Sequence, residues 1–294
     1  SFRSSAAQLN AMVSTNGAEI LGSHGRSIGK QVPQEELSIN VEGSSGKAAS
    51  QTEGPSEITG IRACSHERWN GMPEALAHRL YELISKSNTP QDFHAGLREA
   101  QRRFDDIGNE LAGKAPKPLA CRAGCSLCCS LRVEVYAHEV FLIAHHLQTA
   151  TDPAELERVR AKLAAHAEEV RPLTPYEHAT RNIVCPLLKD GFCSIYEVRP
   201  NACRRHHSMD LAACQHTFDV PTDLETPAAH DRTLYRTLTE AMLYSGDAYE
   251  QLGFDRTIYQ LGTALQAALD DPASWERWRA GGKAFLHASV TPAA

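Results

Sequence analysis

Long apolar segments are absent from this 294-residue sequence. No run reaches roughly eighteen apolar residues, the length that would suggest a helix crossing a bilayer. The first thirty residues also lack the continuous apolar core of a secretory signal peptide. We therefore expect a soluble, cytoplasmic protein without a membrane partner, in which the cysteine thiols stay reduced.

A concentrated block of basic residues is missing as well. The 30 Lys and Arg residues are interspersed among 36 Asp and Glu residues, and the formal net charge is −6. Proteins that bind nucleic acid usually gather positive charge on one face or along one helix. The charge pattern therefore argues against a nucleic-acid partner.

Residues 1–60 have little of what a folded core requires. They are rich in Ser, Gly, Ala, Gln and Glu, contain Phe2 as their only aromatic residue, and show no sustained apolar period. Such a segment cannot bury enough apolar surface to offset the entropy lost on ordering. We expect it to be disordered or loosely attached, and residues 61–294 to form a helical domain. A processed targeting segment is the alternative, although the acidic residues argue against it.

Helical periodicity dominates the chain from residue 72 onward, outside the cysteine-rich loops. Apolar residues recur at spacings of three and four in six stretches, which predicts amphipathic helices. The marker residues are Leu76, Leu80, Leu83 and Ile84; Phe93, Leu97, Ala100, Phe104, Ile107 and Leu111; Val133, Ala137, Val140, Phe141, Ala144 and Leu147; Leu156, Val159, Leu163 and Val170; Leu234, Leu238 and Met242; and Ile258, Leu261, Leu265 and Leu269. Sustained strand-like alternation is lacking. The predicted fold is all-α, a bundle-like helical scaffold with inserted metal-binding loops.

Two helix starts carry capping signals. Thr89 precedes Pro90 and Asp92, which is typical of an N-cap, a proline in the first turn and an early acid. Asp152 precedes a proline, and Glu155 stands three residues on, as in a capping box. Helices should begin at these two positions.

Eight of the nine cysteines lie within residues 119–216, which we treat as one cysteine-cluster module. Thiolates are soft, strong ligands for zinc and iron, and short gaps let one loop offer several sulfurs to one centre. The predicted metal ligands are Cys121, Cys125, Cys128, Cys129, Cys185, Cys193, Cys203 and Cys214. Cys64 falls outside this set and is interpreted as a lone thiol.

Two other interpretations of the cysteines are weaker. A disulfide framework usually staples small secreted domains, whereas a chain of this length can bury a core without covalent links. The Cys-x3-Cys-x2-Cys spacing of Cys121, Cys125 and Cys128 also resembles the cluster loop of radical S-adenosylmethionine enzymes. Those enzymes surround the loop with alternating strands and helices, a context that the helical pattern here does not provide.

A hairpin is predicted between Cys185 and Cys193. The intervening segment contains Asp190-Gly191, a dipeptide favoured in two-residue hairpin turns. The chain should double back there and bring both sulfurs to one side, forming a small knuckle. Cys203 then follows as a third sulfur.

Cationic and imidazole side chains accompany the sulfurs. Four thiolates around Zn²⁺ or a [4Fe–4S]²⁺ cluster leave a net negative charge, which needs donors or cations nearby. Arg199 and Arg204 are the predicted cofactor-binding residues, because guanidinium groups can hydrogen-bond to ligating sulfur. The further candidates are Arg122, Arg132 and Arg205 for charge, and His206, His207 and His216 for nitrogen ligation.

The adjacent residues Cys128 and Cys129 bear on the number of centres. Neighbouring side chains usually point apart, so the pair should serve two centres, or one centre and a free thiol. The spacing of the first group favours an iron–sulfur cluster, and the knuckle favours zinc. The sequence leaves both metals open.

These motifs together identify a family resemblance. Cys-x3-Cys-x2-Cys-Cys, Cys-Pro-Leu-Leu followed by Asp-Gly-x-Cys-Ser-Ile-Tyr, and Arg-Pro-x-x-Cys-Arg followed by a further Cys resemble the YkgJ-type cysteine-cluster family, described as zinc- or iron-chelating proteins. The resemblance covers roughly residues 119–216 and implies that the eight cysteines occupy the family's cysteine positions. It also implies that Arg199, Pro200 and Arg204 match its Arg-Pro and Cys-Arg signatures.

Two classes of function follow from this resemblance. The first is a metal- or cluster-binding module that handles metal or electrons, compatible with a protein partner. The second is a metal-dependent enzyme that modifies a protein or a small substrate, for example by methyl transfer, because a related cysteine motif occurs in flagellin lysine methylases. The candidate acid–base groups would be Glu134, His138, Glu139 and His206, each expected on an exposed helix or loop.

Overall fold

The structure is a computed structural model that describes residues 72–87, 89–226 and 229–291, with side chains from residue 75. The described ranges contain ten α-helices and four strands of two residues each, which confirms the all-α prediction. The predictions for residues 1–60 and for Cys64 lie outside the described residues.

Helices and strands are numbered here in chain order. The helices are α1 (Met72–Ser85), α2 (Pro90–Ala112), α3 (Ala137–Ala150), α4 (Pro153–Val170), α5 (Pro175–Ala179), α6 (Asn201–Arg205), α7 (Leu211–Asp219), α8 (Arg232–Gln251), α9 (Leu261–Asp270) and α10 (Ser274–Arg279). The strands are β1 (Glu134–Val135), β2 (Leu188–Lys189), β3 (Phe192–Cys193) and β4 (Tyr259–Gln260), and short 3-10 helices span Leu127–Ser130 and Tyr196–Val198. None of the helices in the described ranges is both long enough and apolar enough to span a membrane.

The two predicted caps are present at the starts of α2 and α4. Thr89 accepts a hydrogen bond from the Asp92 N–H at 3.1 Å, and Asp152 accepts one from the Glu155 N–H at 3.0 Å. The second half of the predicted capping box is wrong. The Glu155 carboxylate forms ion pairs with Arg158 and Lys189 instead of returning to the cap.

Two apolar cores hold the helices together. In the smaller core, α1 and α8 pack against each other and both contact α2, burying Leu76, Phe104 and Leu238. In the larger core, α9 packs between α3 and α4. The central side chains of this larger core, which include Val140 and Leu265, are fully buried. The periodic apolar residues of the sequence therefore form the contacts between helices.

Strand β1 precedes α3 in the chain and strand β4 precedes α9. The two strands pair antiparallel, with Glu134 opposite Gln260. This pairing corrects two expectations. Val133 and Ile258 were assigned to helices, but α3 begins only at Ala137 and α9 only at Leu261. Val133 and Ile258 are apolar residues that lie beside the two strands, so they continue the spacing of the helix that follows without sharing its backbone conformation.

The predicted hairpin is confirmed as strands β2 and β3. They pair antiparallel with Leu188 opposite Cys193. Asp190 and Gly191 both have positive φ, 51° and 80°, as a two-residue turn of the I′ type requires. The hairpin returns the chain at the cysteine cavity described below.

Candidate metal centre

All eight cysteines of the module line one cavity. Its volume is about 670 Å³, and its wall includes Cys121, Cys125, Cys128, Cys129, Cys185, Cys193, Cys203 and Cys214. None of these thiols forms a disulfide. Within the described ranges, no three His, Cys, Asp or Glu side chains stand close enough together to hold an ion in their present positions. The sulfurs therefore border a shared volume rather than converge on one point.

The first cysteine loop is held at the cavity by main-chain contacts. The Ala120 N–H donates to the Ser208 carbonyl at 2.8 Å, which fixes Cys121 beside the later segment of the module. The Cys125 N–H closes a tight turn on Arg122 at 3.1 Å, and Gly124 adopts a φ of 81° within it. A glycine suits this left-handed position. The loop thus presents Cys121 at the exposed mouth and Cys125 further inside.

The expectation that Cys128 and Cys129 point apart is wrong. Both belong to the 3-10 helix Leu127–Ser130, both line the cavity, and their thiols are hydrogen-bonded to each other. That hydrogen bond, followed by burial, raises the pKa of the Cys128 thiol. The tighter winding of a 3-10 helix, compared with an extended chain, accounts for the shared direction.

The knuckle provides two of the sulfurs, and main-chain N–H groups donate hydrogen bonds to both. The Cys185 N–H donates to the Cys129 carbonyl at 2.7 Å, which joins the hairpin to the 3-10 helix. Burial raises the pKa of the Cys185 thiol to about 12, and the N–H groups of Leu187 and Leu188 partly offset that rise. Burial also raises the pKa of Cys193, against a hydrogen bond from the Ile195 N–H. Donors aimed at sulfur stabilise a thiolate and tune a bound metal.

The last two sulfurs come from short helices. Cys203 lies on α6, and burial together with the neighbouring cysteines raises its pKa well above the ordinary value. Cys214 is buried on α7, which packs against the 3-10 helix Leu127–Ser130. Its thiol donates to the Asp210 carbonyl at 3.4 Å. Both helices therefore contribute a sulfur to the wall of the cavity.

The two arginines predicted to bind the cofactor occupy different environments. The Arg199 guanidinium lies 4.1 Å from the centroid of the Tyr196 ring, and its buried Nε has no protein partner. It acts electrostatically on Cys121, Cys128, Cys193 and Cys203.

Arg204 instead stabilises the backbone around residues 197–199. Its guanidinium is paired with Asp105 and donates to the carbonyls of Arg199 and Glu197, at 2.8 and 2.6 Å. The geometry leaves Arg199 available at the cavity, with Arg204 holding the backbone from which Arg199 projects.

The three candidate histidines are also distinguished by the structure. His206 lines the cavity. His207 lines it too, but its Nδ1 contacts the Arg205 carbonyl and its Nε2 accepts from the Asp231 N–H, both at 2.9 Å. His216 is 2.9 Å from Asp223 and lies outside the cavity wall. His206 is therefore the histidine best placed to contact a bound group.

The four acid–base candidates were expected to be exposed, and that expectation is wrong, since three of them are buried and His206 is half-buried. Glu134, His138 and Glu139 are all buried. Glu134 pairs with the buried Arg132 at 3.2 Å and accepts from Thr291. The His138 ring stacks on the buried Tyr249 at 4.2 Å, and burial lowers its pKa to about 3. Their roles in the structure are therefore in packing and pairing.

Glu139 connects the scaffold to the site. One of its carboxylate oxygens accepts from the Tyr136 N–H at 3.1 Å, and the other accepts from the Asn201 N–H at 2.7 Å. Asn201 begins α6, the helix that carries Cys203. Burial raises the pKa of Glu139 to about 7 despite these two bonds. The sequence analysis had listed Glu139 as an acid–base candidate on an exposed helix or loop, and it missed this role because Asn201 is distant along the chain.

Fold and site together define a helical protein in which eight free thiols line one cavity. Residues 120–225 match the family described as "Putative zinc- or iron-chelating domain". This match confirms the predicted resemblance to a cysteine-cluster family. The matched segment includes the whole run from Cys121 to Cys214. Comparisons with curated proteins and with solved structures gave no match.

Proposed function

We propose that this protein binds an iron–sulfur cluster of the [4Fe–4S] type through its cysteine thiolates and serves in electron or metal handling. One observation carries the proposal: five separate parts of the chain deliver eight thiols to the wall of one cavity. Thiolates are the usual ligands of iron–sulfur clusters. Within the matched domain no other group of side chains offers a comparable set of soft donors.

The surroundings of the sulfurs fit a negatively charged centre. Main-chain N–H groups at Leu187, Leu188 and Ile195 favour the thiolate forms of Cys185 and Cys193. Arg199 adds a positive charge beside four of the cysteines. A bound cluster would supply one-electron chemistry, with a potential set by such hydrogen bonds and charges. The residues present therefore suit the group in both donor type and charge.

Zinc is the alternative occupant. A single tetrahedral zinc takes four ligands, whereas this cavity offers eight thiols and a volume of about 670 Å³. A [4Fe–4S] cluster also takes four thiolates, so the size of the cavity, rather than the number of donors, favours the larger inorganic group over one ion. Residence in the cytoplasm, where thiols stay reduced, and exchange of electrons or metal with a protein partner belong to the same proposal.

Anaerobic purification followed by elemental analysis, a sulfide assay and a visible absorption spectrum tests the assignment. We expect about four iron atoms and about four sulfide ions for each cluster, with broad visible absorption that bleaches on reduction. A colourless protein with stoichiometric zinc would overturn the iron assignment. Mass spectrometry that showed the eight cysteines joined as disulfides would overturn metal binding altogether.

An enzyme is the second candidate, and the position of His206 favours it. This side chain lines the same cavity as the thiols, and the wall of that cavity includes the exposed Cys121. Calorimetric titration of the metal-loaded protein with S-adenosylmethionine tests the methyl-transfer version. Saturable binding that weakens in His206→Ala would support the enzyme, and the absence of binding heat would leave the binding module as the better account.

A further inference from the structure

We propose that the eight cysteines form two adjacent four-sulfur metal centres that meet at Cys128 and Cys129. This inference rests on the proposed metal-binding function and assigns ligands within it. The structure assigns Cys121, Cys125 and Cys214 to the first centre and Cys185, Cys193 and Cys203 to the second. Each centre takes its fourth sulfur from the adjacent pair.

The first set is formed by α7 and by the first cysteine loop, residues 120–125. The bond from the Ala120 N–H to the Ser208 carbonyl, 2.8 Å long, places Cys121 next to the segment that leads into α7. That helix carries Cys214 and packs on the 3-10 helix Leu127–Ser130. Cys214 interacts electrostatically with Cys121 and Cys125, and Cys121 interacts with Cys125. These contacts hold the first cysteine loop next to α7 at the wall of the cavity.

The second set is assembled by the knuckle and α6. The hairpin places Cys193 opposite Leu188, close to the turn that begins at Cys185. Cys203 interacts electrostatically with both Cys185 and Cys193. The Leu188 N–H donates to the Cys185 carbonyl at 3.0 Å, so the hairpin holds the two cysteines of the knuckle next to each other. These three cysteines belong to the knuckle and α6, elements other than those that carry the first set.

The vicinal pair lies between the two sets. Cys128 interacts with Cys121 and Cys214 of the first set and with Cys185, Cys193 and Cys203 of the second. Cys129 is hydrogen-bonded to Cys128, and its carbonyl binds the Cys185 N–H. Two sulfurs at the boundary complete a four-sulfur set on each side, which is the ligand number of a structural zinc or a [4Fe–4S] cluster.

Arg199 fits an arrangement of two neighbouring anionic centres. Its guanidinium interacts with Cys121 of the first set, with Cys193 and Cys203 of the second, and with Cys128 between them. Two four-thiolate centres side by side would repel each other, and one cation between them reduces that repulsion. Its Nε, buried and without a protein partner, is a donor available to ligating sulfur.

Two double variants of the full chain test the division. Cys121→Ser/Cys214→Ser removes two sulfurs of the first set, and Cys185→Ser/Cys193→Ser removes two of the second. Each protein is reconstituted anaerobically with ferric and ferrous iron, sulfide and zinc, and its metals are counted. We expect each variant to lose one centre and keep the other, so that the metals retained by the two variants together equal the wild-type content. Cys64→Ser, outside the set, is the matched control and should keep the full content.

The outcomes are distinguishable. If either double variant loses all metal while its helical circular dichroism is intact, the cavity holds one shared centre and the division is overturned. Native mass spectrometry of the wild-type protein during stepwise chelation provides a measurement that needs no variant. A one-centre intermediate supports the division, and passage from full to empty in one step contradicts it. A wild-type protein that takes up no metal contradicts the proposed function itself.

Discussion

Glu139 offers a quantitative test of the link between the helical scaffold and the cysteine site. Its carboxyl group is fully buried and bonds to the N–H groups of Tyr136 and Asn201. Burial raises its pKa from 4.5 to about 7. Between these two values the folded protein holds a proton that the unfolded chain releases, so stability falls as the pH rises through this window.

The magnitude follows from the shift. At about 1.4 kcal/mol for each pH unit, a rise of the pKa from 4.5 to about 7 corresponds to about 3 kcal/mol. This contribution is present below pH 4.5 and lost above pH 7. Buried histidines such as His138, whose pKa is lowered to about 3, act in the opposite direction at acid pH. The wild-type profile therefore has to be compared with that of Glu139→Gln, which removes only the Glu139 contribution.

Urea unfolding at several pH values between 4.5 and 8, followed by circular dichroism, measures this difference. We expect the stability of the wild type relative to Glu139→Gln to fall by about 3 kcal/mol across the range. Glu177→Gln is the control, because a hydrogen bond from the Thr174 N–H lowers the pKa of Glu177, so this carboxyl affects stability only below pH 4.5 and the control profile should parallel that of the wild type across the measured range. Parallel profiles for the wild type and Glu139→Gln would refute the assignment of a raised pKa to Glu139.

Three further predictions concern packing, the knuckle and the charge at the cavity. Gly262→Ala would place a Cβ 2.3 Å from Cδ2 of His166, so we expect a loss of about 1–3 kcal/mol in thermal or urea unfolding, largely restored by adding His166→Ala. The Cβ of Gly191→Ala meets no neighbouring atom, but residue 191 has a φ of 80°, so the free energy of unfolding should fall by about 1–2 kcal/mol and metal retention should weaken. Gly253→Ala, at a φ of 76°, is the control: it should lower the free energy of unfolding by the same amount and leave the metal content unchanged. Arg199→Gln removes a positive charge that acts on the cysteines, so it should make the reduction potential of a bound cluster more negative in a redox titration. The control is Arg181→Gln, at an exposed position. If the wild type and both variants have the same potential, Arg199 has no role at the centre.

Local sequence signals predicted much of the helical scaffold. Thr89 and Asp152 marked helix starts because capping depends on side chains within three residues of the cap. Asp190-Gly191 marked the hairpin because few other dipeptides tolerate two consecutive positive φ values. The pairing of β1 with β4 left no such signal. It joins two-residue segments far apart in the chain, and each of them merges into the apolar spacing of the helix that follows.

In the site, too, local sequence patterns predicted some features, and contacts between distant segments determined the others. Spacing identified the cysteines as a group, since soft ligands clustered in a chain of this size point to metal. The environment of each candidate depended on contacts between distant segments. Arg204 is occupied by Asp105 and by two carbonyls, His207 is fixed by Arg205 and Asp231, and Glu139 is buried against Asn201. None of these contacts follows from periodicity or motif spacing.

X-ray absorption at the metal edge of the anaerobically prepared protein tests the central claim most directly. Our account predicts a first coordination shell made of sulfur at about 2.3 Å, with iron neighbours beyond it if the occupant is a cluster. Loss of that sulfur shell on replacing the eight cavity cysteines with serine would tie it to these residues. A first shell of nitrogen and oxygen atoms alone in the wild-type protein would contradict the claim that the thiols of residues 121–214 hold the metal.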